Sequence, residues 1–271
     1  MCLISPLAVS GSDLGPLEAF LVDAEDADVV VIGEIHDNPQ HHEIQARVVQ
    51  VLQPDAIVFE MIPEAQSATV NDLRAEGTGR DAIKAALDWD NSGWPSFDFY
   101  APILEAAPDA RIYGAGQSRE TIRQASREGA AATLGPEAAR YGLTSALPAQ
   151  DVASRREEMA IAHCGALPDD ALDGMIEVQR LWDATLARAA LSALEDADEG
   201  AQVVMIAGNG HADRVRGAPK VIAQAEPDLE IRVLGLLEGT GSADLAFDMT
   251  ISTAAPERGD PCEIFETRKT D

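Results

Sequence analysis

The stretch Asp28-Val-Val-Val-Ile-Gly-Glu-Ile-His-Asp-Asn-Pro39 carries the main signals of the fold. The β-branched run Val29–Ile32 predicts a strand that is buried on both faces. Gly33 ends this strand, and Asn38-Pro39 is typical of a helix start, which predicts a helix to about residue 53. A second apolar run, Ala56–Phe59, follows the helix. The segment therefore predicts a strand–helix–strand unit with parallel pairing of its strands.

The rest of the chain extends this unit into an α/β fold with a largely parallel central sheet flanked by helices. Further strands are predicted at Arg111–Ala115, Gln202–Ala207 and Ile231–Leu237, and weaker ones at Leu245–Ile251 and Cys262–Thr267. Because the last three segments lie close together in sequence, we expect antiparallel strands at the C-terminal edge of the sheet. Between about residues 63 and 200 the pattern is mostly helical. We therefore expect a single domain, residues 1–271, with a helical insert or lid.

Composition excludes several classes of partner. The formal net charge is −27, and such a surface repels nucleic-acid backbones and anionic lipids. No apolar run approaches the roughly twenty residues of a membrane-spanning helix. The cysteines Cys2, Cys164 and Cys262 form no CxxC motif, so we expect no disulfide framework and a reducing compartment. As the sequence stands, this predicts a cytoplasmic protein, whereas a start further upstream would make Cys2 a candidate lipid-acceptor cysteine of an envelope lipoprotein.

Four residues with reactive side chains lie at the ends of predicted strands. His36 and His211 each close a Gly-x-x-His tetrapeptide directly after a buried strand, and Glu34 lies inside the first of these tetrapeptides. Glu60 ends the second predicted strand. Because the carboxyl ends of parallel strands open onto one crevice, we expect all four side chains to share a site. His36, His211 and Glu60 could hold zinc, iron or manganese, and without a metal a histidine oriented by a glutamate could activate water.

Two more histidines, His41 and His42, lie in the first turn of the helix that begins at Pro39. This position places them beside the same crevice, at a helix end whose amide groups favour anions. Since adjacent helical residues point about 100° apart, only one of them can easily face a ligand. Trp89, Trp94 and Tyr100 could line an apolar pocket for a flat ligand, although aromatic residues more often pack in the core.

The motifs resemble those of the ChaN-like family of haem-binding proteins. The resemblance spans roughly residues 28–220 and rests on Gly33–His42, Phe59–Pro63, Trp94–Pro102, His163–Pro168 and Gly208–His211, in this order. The family belongs to a superfamily that includes the Tiki and TraB proteins and the erythromycin esterases. Its paired Gly-x-x-His motifs and glutamates correspond to His36, His211, Glu34 and Glu60.

The resemblance implies a haem- or iron-binding protein that acts in iron or haem acquisition or handling and forms a homodimer. A haem ligand needs an axial side chain, an apolar slot and cations for its propionates. The corresponding haem-binding candidates are His41, His42, Tyr100, Asn209 and Arg214, with Arg216 as a second propionate partner. The alternative is a hydrolase of the wider superfamily, in which Glu34 acts as general base beside a metal or a polarised water. The sequence departs from the family pattern at Trp182, where a basic residue is expected.

Overall fold

The computed structural model describes residues 14–239, 245–260 and 262. Within these residues the chain alternates strands and helices. The strands are β1 (Val29–Glu34), β2 (Ala56–Pro63), β3 (Arg111–Gly116), β4 (Val203–Gly208), β5 (Ile231–Glu238) and β6 (Met249–Thr253). The α-helices are α1 (Leu14–Ala24), α2 (Pro39–Leu52), α3 (Ser67–Ala75), α4 (Arg80–Ala86), α5 (Phe97–Ala106), α6 (Arg119–Glu128), α7 (Ala130–Leu134), α8 (Ala149–Ala162), α9 (Asp169–Glu195), α10 (Asn209–Ala212) and α11 (Ala218–Ala225).

The strands form one parallel sheet in the order β3-β2-β4-β1-β5-β6, which confirms the α/β fold class. The first predicted unit has the expected helix start, since the Asn38 side chain accepts a hydrogen bond from the backbone N–H of Gln40 and Pro39 opens α2. Its two strands are parallel but not adjacent. β4 lies between β1 and β2 and pairs with both, so the unit leaves room for a strand that comes much later in the chain.

The prediction of antiparallel edge strands is wrong, because β6 runs parallel to β5. The short connection between them suggested a hairpin. Instead, the chain returns to the start of the sheet before β6 begins, as shown by the hydrogen bond from the Asp248 N–H to the Val233 carbonyl, which lies near the start of β5. The other predicted edge segment, Cys262–Thr267, lies outside the described residues except for Cys262.

Both faces of the sheet are covered by helices, which explains why its central strands are almost wholly apolar. In β1, Val30 and Ile32 face a core built with α1, α2 and α5, whereas Val29 and Val31 face a core built with α9 and α11. The region between β2 and β4 supplies helices to both layers and also the edge strand β3. None of the helices in the described part of the chain is both long and apolar enough to cross a membrane.

The C-terminal segment is attached to two distant parts of the fold. Cys262 forms a disulfide with Cys164, which follows α8, across a sequence separation of 98 residues. This corrects the expectation that no cysteines pair, which relied on local cysteine motifs and could not anticipate a contact made by the tertiary fold. Arg258 binds the carboxylates of both Asp37 and Glu238. The segment therefore crosses the chain directly beside His36.

Candidate functional site

The structure brings Glu34, His36, Glu60 and His211 together at the carboxyl ends of β1, β2 and β4. In the parallel register Glu34 is level with Gly208, the last residue of β4. Glu60 continues β2 just beyond its pairing with β4, which ends at Phe59 and Ile206. The neighbouring strands therefore deliver the four side chains to one edge. We call these four residues the His/Glu cluster.

Glu60 occupies the centre of the His/Glu cluster. Its Oε2 accepts a hydrogen bond of 2.7 Å from the backbone N–H of Gly208. Its Oε1 lies 3.8 Å from Nε2 of His211 and 4.0 Å from Nε2 of His36. Both imidazoles thus direct the same ring nitrogen at one carboxylate oxygen, at distances that leave room for a shared proton donor or a small bound species.

Glu34 fixes the His36 ring from the opposite side. The Nδ1–H of His36 donates to Glu34 Oε1 at 2.7 Å, and the same carboxylate accepts hydrogen bonds from Tyr100 and Gln45 at 2.9 and 2.6 Å. Burial lowers the pKa of His36, but the hydrogen bond to Glu34 and the charge of Glu60 outweigh it and raise the pKa to about 9. At neutral pH His36 is therefore protonated and directs its Nε2–H at Glu60.

His211 has an equivalent partner, Asp183, which the sequence analysis missed. The Nδ1–H of His211 donates to Asp183 Oδ1 at 2.7 Å, and both side chains are buried. Burial lowers the pKa of His211, but Glu60 and Asp183 together outweigh it and raise the pKa. The available signal was an acidic residue on the apolar face of α9, between Trp182 and Leu186. Such an acid needs a buried partner, but the sequence does not indicate which one.

The glycines of the two Gly-x-x-His motifs provide space rather than an unusual backbone conformation. A Cβ at Gly208 would lie 2.9 Å from Nε2 of His36, and one at Gly33 would lie 2.3 Å from the Asn209 side-chain oxygen. Neither glycine has a positive φ angle. A side chain at Gly208 would displace the His36 ring, and one at Gly33 would displace α10, which follows β4.

Three of the haem-binding candidates are buried and already bonded. His41 accepts a hydrogen bond from the Ile35 N–H at Nδ1 and donates from Nε2 to the Leu237 carbonyl. His42 donates from Nε2 to the His36 carbonyl at 2.9 Å, and its Nδ1 faces Glu34 at 3.4 Å. Tyr100 is buried beneath Glu34, and burial with that nearby charge raises the pKa of its hydroxyl. All three side chains therefore make hydrogen bonds within the fold around the His/Glu cluster, and their role in binding haem stays a prediction.

Asn209 and Arg214 form their side-chain hydrogen bonds with β5 and with the residue before β6, not with the His/Glu cluster. The Asn209 amide donates to the Leu236 carbonyl at 2.7 Å and so ties α10 to β5. Arg214 binds Asp248 and the carbonyl of Ile231, the first residue of β5, at 3.0 Å each. Because the His/Glu cluster follows the last residues of the strands, Arg214 lies towards the opposite end of the sheet.

A cavity of about 440 Å³ opens beside the cluster, and its lining combines tryptophans with aliphatic and polar side chains. Trp89, Trp94 and Trp182 all line it, and they are the only tryptophans in the sequence. The Trp94 ring contacts the His36 ring with centroids 4.9 Å apart, and the Trp182 ring lies 5.9 Å from that of His211. We call this space the tryptophan cavity. Its volume falls within the range of small-molecule pockets, roughly 300–1,000 Å³.

The chemistry of the cluster suits either proton transfer or metal binding. Two imidazoles, each oriented by a carboxylate and facing a third carboxylate, are a common arrangement in both. In residues 14–239, 245–260 and 262, however, no three or more His, Cys, Asp or Glu side chains are grouped closely enough to hold a metal ion. The metal site predicted from His36, His211 and Glu60 thus remains a hypothesis.

Comparison with known proteins identifies similar chains. The family profile described as "Haem-binding uptake, Tiki superfamily, ChaN" matches residues 20–222, which is most of the sequence. Among solved structures, the chain is similar to ChaN of Campylobacter jejuni, which is described as showing cofacial haem binding. The TM-score is 0.64 at 19% identity, covering 84% of this chain and 87% of that one.

Two further solved structures are similar over much of the chain. The type III effector HopBA1 has a TM-score of 0.48 at 15% identity, covering 89% of this chain and 94% of that one. A succinoglycan biosynthesis protein has a TM-score of 0.44 at 13% identity, covering 84% and 69%. At 19% identity, the similarity to ChaN of Campylobacter jejuni shows the fold alone. A search of curated proteins gave no match.

The raised pKa of His36 predicts a pH-dependent contribution to stability. Because the pKa rises from 6.5 to about 9 on folding, the contribution is complete below pH 6.5 and is lost as the pH rises through about 9. We expect metal-free wild-type protein to lose more unfolding free energy than His36→Asn between about pH 6 and about pH 10, measured by urea denaturation. His163→Asn, which removes an imidazole outside the cluster, should behave like wild type. Equal losses in wild type and His36→Asn would contradict the assigned contacts.

Proposed function

The chain belongs to the ChaN family of haem-binding uptake proteins in the Tiki superfamily, and on this premise we propose that it binds haem and acts in haem or iron acquisition or handling. The observation that carries the proposal is the tryptophan cavity. All the tryptophans of the chain line one space beside His36 and His211, although only 4% of its residues are aromatic. Aromatic rings in the wall of a pocket suit a planar ligand, and the polar side chains that complete this wall, such as Gln66 and Gln117, can meet its polar groups.

Haem also needs an axial ligand, and the structure favours His36 over the residues selected from the sequence. Haem would supply an iron centre that accepts a nitrogen, oxygen or sulfur donor. His41 and His42 use ring nitrogens in hydrogen bonds to the backbone. The Tyr100 hydroxyl keeps its proton and donates a hydrogen bond to Glu34. The His36 side chain is 33% exposed and contacts Trp94 at the wall of the cavity. Its Nε2 would have to lose a proton before binding iron, so affinity should rise with pH.

Titration with hemin tests this proposal. Wild-type protein should shift the Soret band at a stoichiometric ratio, and His36→Ala should weaken binding by at least about tenfold, equivalent to about 1.4 kcal/mol, and alter the band position. Tyr100→Phe removes one hydrogen bond to Glu34 but no exposed ligand, so its spectrum should match wild type. Absence of any Soret shift in wild type would refute haem binding. A changed spectrum in Tyr100→Phe alone would assign the axial role to Tyr100 instead.

A second candidate function is a hydrolase of the same superfamily, which the geometry of the cluster supports. The Nε2 atoms of His36 and His211 both face Glu60 Oε1, and each ring is oriented by a carboxylate through Nδ1. Such outer carboxylates hold imidazoles that bind a metal or take a proton from water. A divalent metal would supply a polarised water, while Glu60 would orient it and His36 or His211 would accept or release its proton.

Asp183 gives a selective test of the hydrolase candidate. Asp183→Asn keeps the side-chain shape but weakens the orientation of His211, and we expect metal affinity or hydrolysis to fall by about 10- to 100-fold. Asp173→Asn is the matched control, because Asp173 lies on the same helix in an exposed pair with Arg156. The measurements are metal content and turnover of ester and peptide substrates with and without chelator. Equal metal content and equal turnover in Asp183→Asn and Asp173→Asn would contradict the proposed hydrolase function.

The disulfide supports a location that differs from the one expected from the cysteine pattern. Stable disulfides form in oxidising compartments such as the periplasm or cell surface, so Cys164–Cys262 favours these over the cytoplasm. Alkylation of intact cells before lysis tests this point. We expect Cys164 and Cys262 to react only after a reductant is added, and Cys262→Ser to make Cys164 reactive at once. If Cys164 and Cys262 of the wild type are labelled without a reductant, their thiols are free and the protein resides in a reducing compartment.

A further inference from the structure

Helix α6 carries a row of arginines next to the tryptophan cavity. Arg119, Arg123 and Arg127 are spaced four residues apart, so they lie on one side of the helix at intervals of about 6 Å. All three are exposed. We call them the α6 arginines. Like charges at this spacing repel one another, so the row has a cost that a bound anion would remove.

The α6 arginines differ from most other cations of the molecule. The sequence has 47 acidic and 20 basic residues, and most arginines in the described part of the chain lie within 4.0 Å of a carboxylate. Within the described residues, Arg119, Arg123 and Arg127 have no such partner. By contrast, the two arginines first assigned to propionates are held by acids, Arg214 by Asp248 and Arg216 by Glu158 and Asp213. Free positive charge is thus concentrated on α6.

The α6 arginines border two neighbouring cavities. Arg119 lines the tryptophan cavity, whereas Arg123 and Arg127 line a neighbouring cavity of about 370 Å³ between α6 and α9. Ile122 lines both cavities and so connects them. The floor of the second cavity includes Met175 and Val178 of α9. A ligand in the tryptophan cavity therefore has Arg119 at its edge, and Arg123 and Arg127 follow along the next cavity.

We propose that the α6 arginines bind the carboxylates of a planar ligand whose apolar body lies in the tryptophan cavity. The ligand class is a flat aromatic macrocycle with carboxylates on one edge, and haem, with its two propionates, is its representative under the proposed function on which this inference rests. Guanidinium groups bind carboxylates through paired N–H donors and stay charged at any physiological pH. Arg119 and Arg123, one helical turn apart, hold the two carboxylates, and Arg127 extends the positive edge.

Comparison of hemin with its dimethyl ester isolates this contact, because the ester keeps the macrocycle and iron but lacks the anionic carboxylates. We expect Arg119→Gln/Arg123→Gln to weaken hemin binding by about tenfold or more, given the usual worth of charge-assisted hydrogen bonds. The same variant should bind the dimethyl ester as wild type does. In wild type, the affinity for hemin should fall with added salt, and that for the ester should not.

The matched control is Arg47→Gln/Lys220→Gln, which removes the same charge from exposed residues on α2 and α11. It should leave the affinities for both probes unchanged, and thermal melts should show that both double variants are folded. Unchanged hemin affinity in the α6 variant, or equal loss of both probes, overturns the inference while haem binding stands. If wild type binds neither probe, the proposed function fails and this inference fails with it.

Discussion

The buried carboxylate of Glu60 is the constraint on which the site depends. It stands where β2 leaves β4, accepts the Gly208 N–H with one oxygen and presents the other to His36 and His211. Each ring is held on its other side by a second carboxylate, and the nearby carboxylates raise the pKa of both imidazoles. This arrangement requires bare backbone at Gly208, because a methyl group there would collide with the His36 ring. The strand order, with β4 between β1 and β2, brings these groups to one edge, and the bare glycine leaves space for them.

The sequence predicted those features that depend on residues close together in the chain. Apolar runs located the strands, and Asn38-Pro39 located the start of α2. The four side chains expected at the carboxyl ends of the strands lie close together, although Glu34 and Glu60 belong to β1 and β2 and do not follow them. Their function stays a prediction. Features that depend on packing between distant segments could not be predicted. Asp183 reaches His211 only because of how α9 lies on the sheet, and Cys164 meets Cys262 only because the C-terminal segment crosses the fold. The predicted direction of β6 was wrong for the same reason.

The two proposed functions use the same cluster but different surroundings. A hydrolase needs only the imidazoles, their carboxylates and a water or metal between them. Haem binding also needs the tryptophan cavity and a source of positive charge. These come from elements far in sequence from the two Gly-x-x-His motifs: the loop before α5, the middle of α9 and the exposed side of α6. In a chain with net charge −27, the carboxylates of an anionic ligand are repelled almost everywhere else. The α6 arginines would therefore orient such a ligand as well as hold it.

The attachment of the C-terminal segment also has a consequence for the unfolded chain. Asp37 is bound by Arg258, 221 residues later, and Cys164 is joined to a cysteine 98 residues later. A covalent link that closes so long a loop restricts the conformations of the unfolded chain. The cysteine pair therefore contributes to the free energy of unfolding although neither cysteine belongs to the sheet.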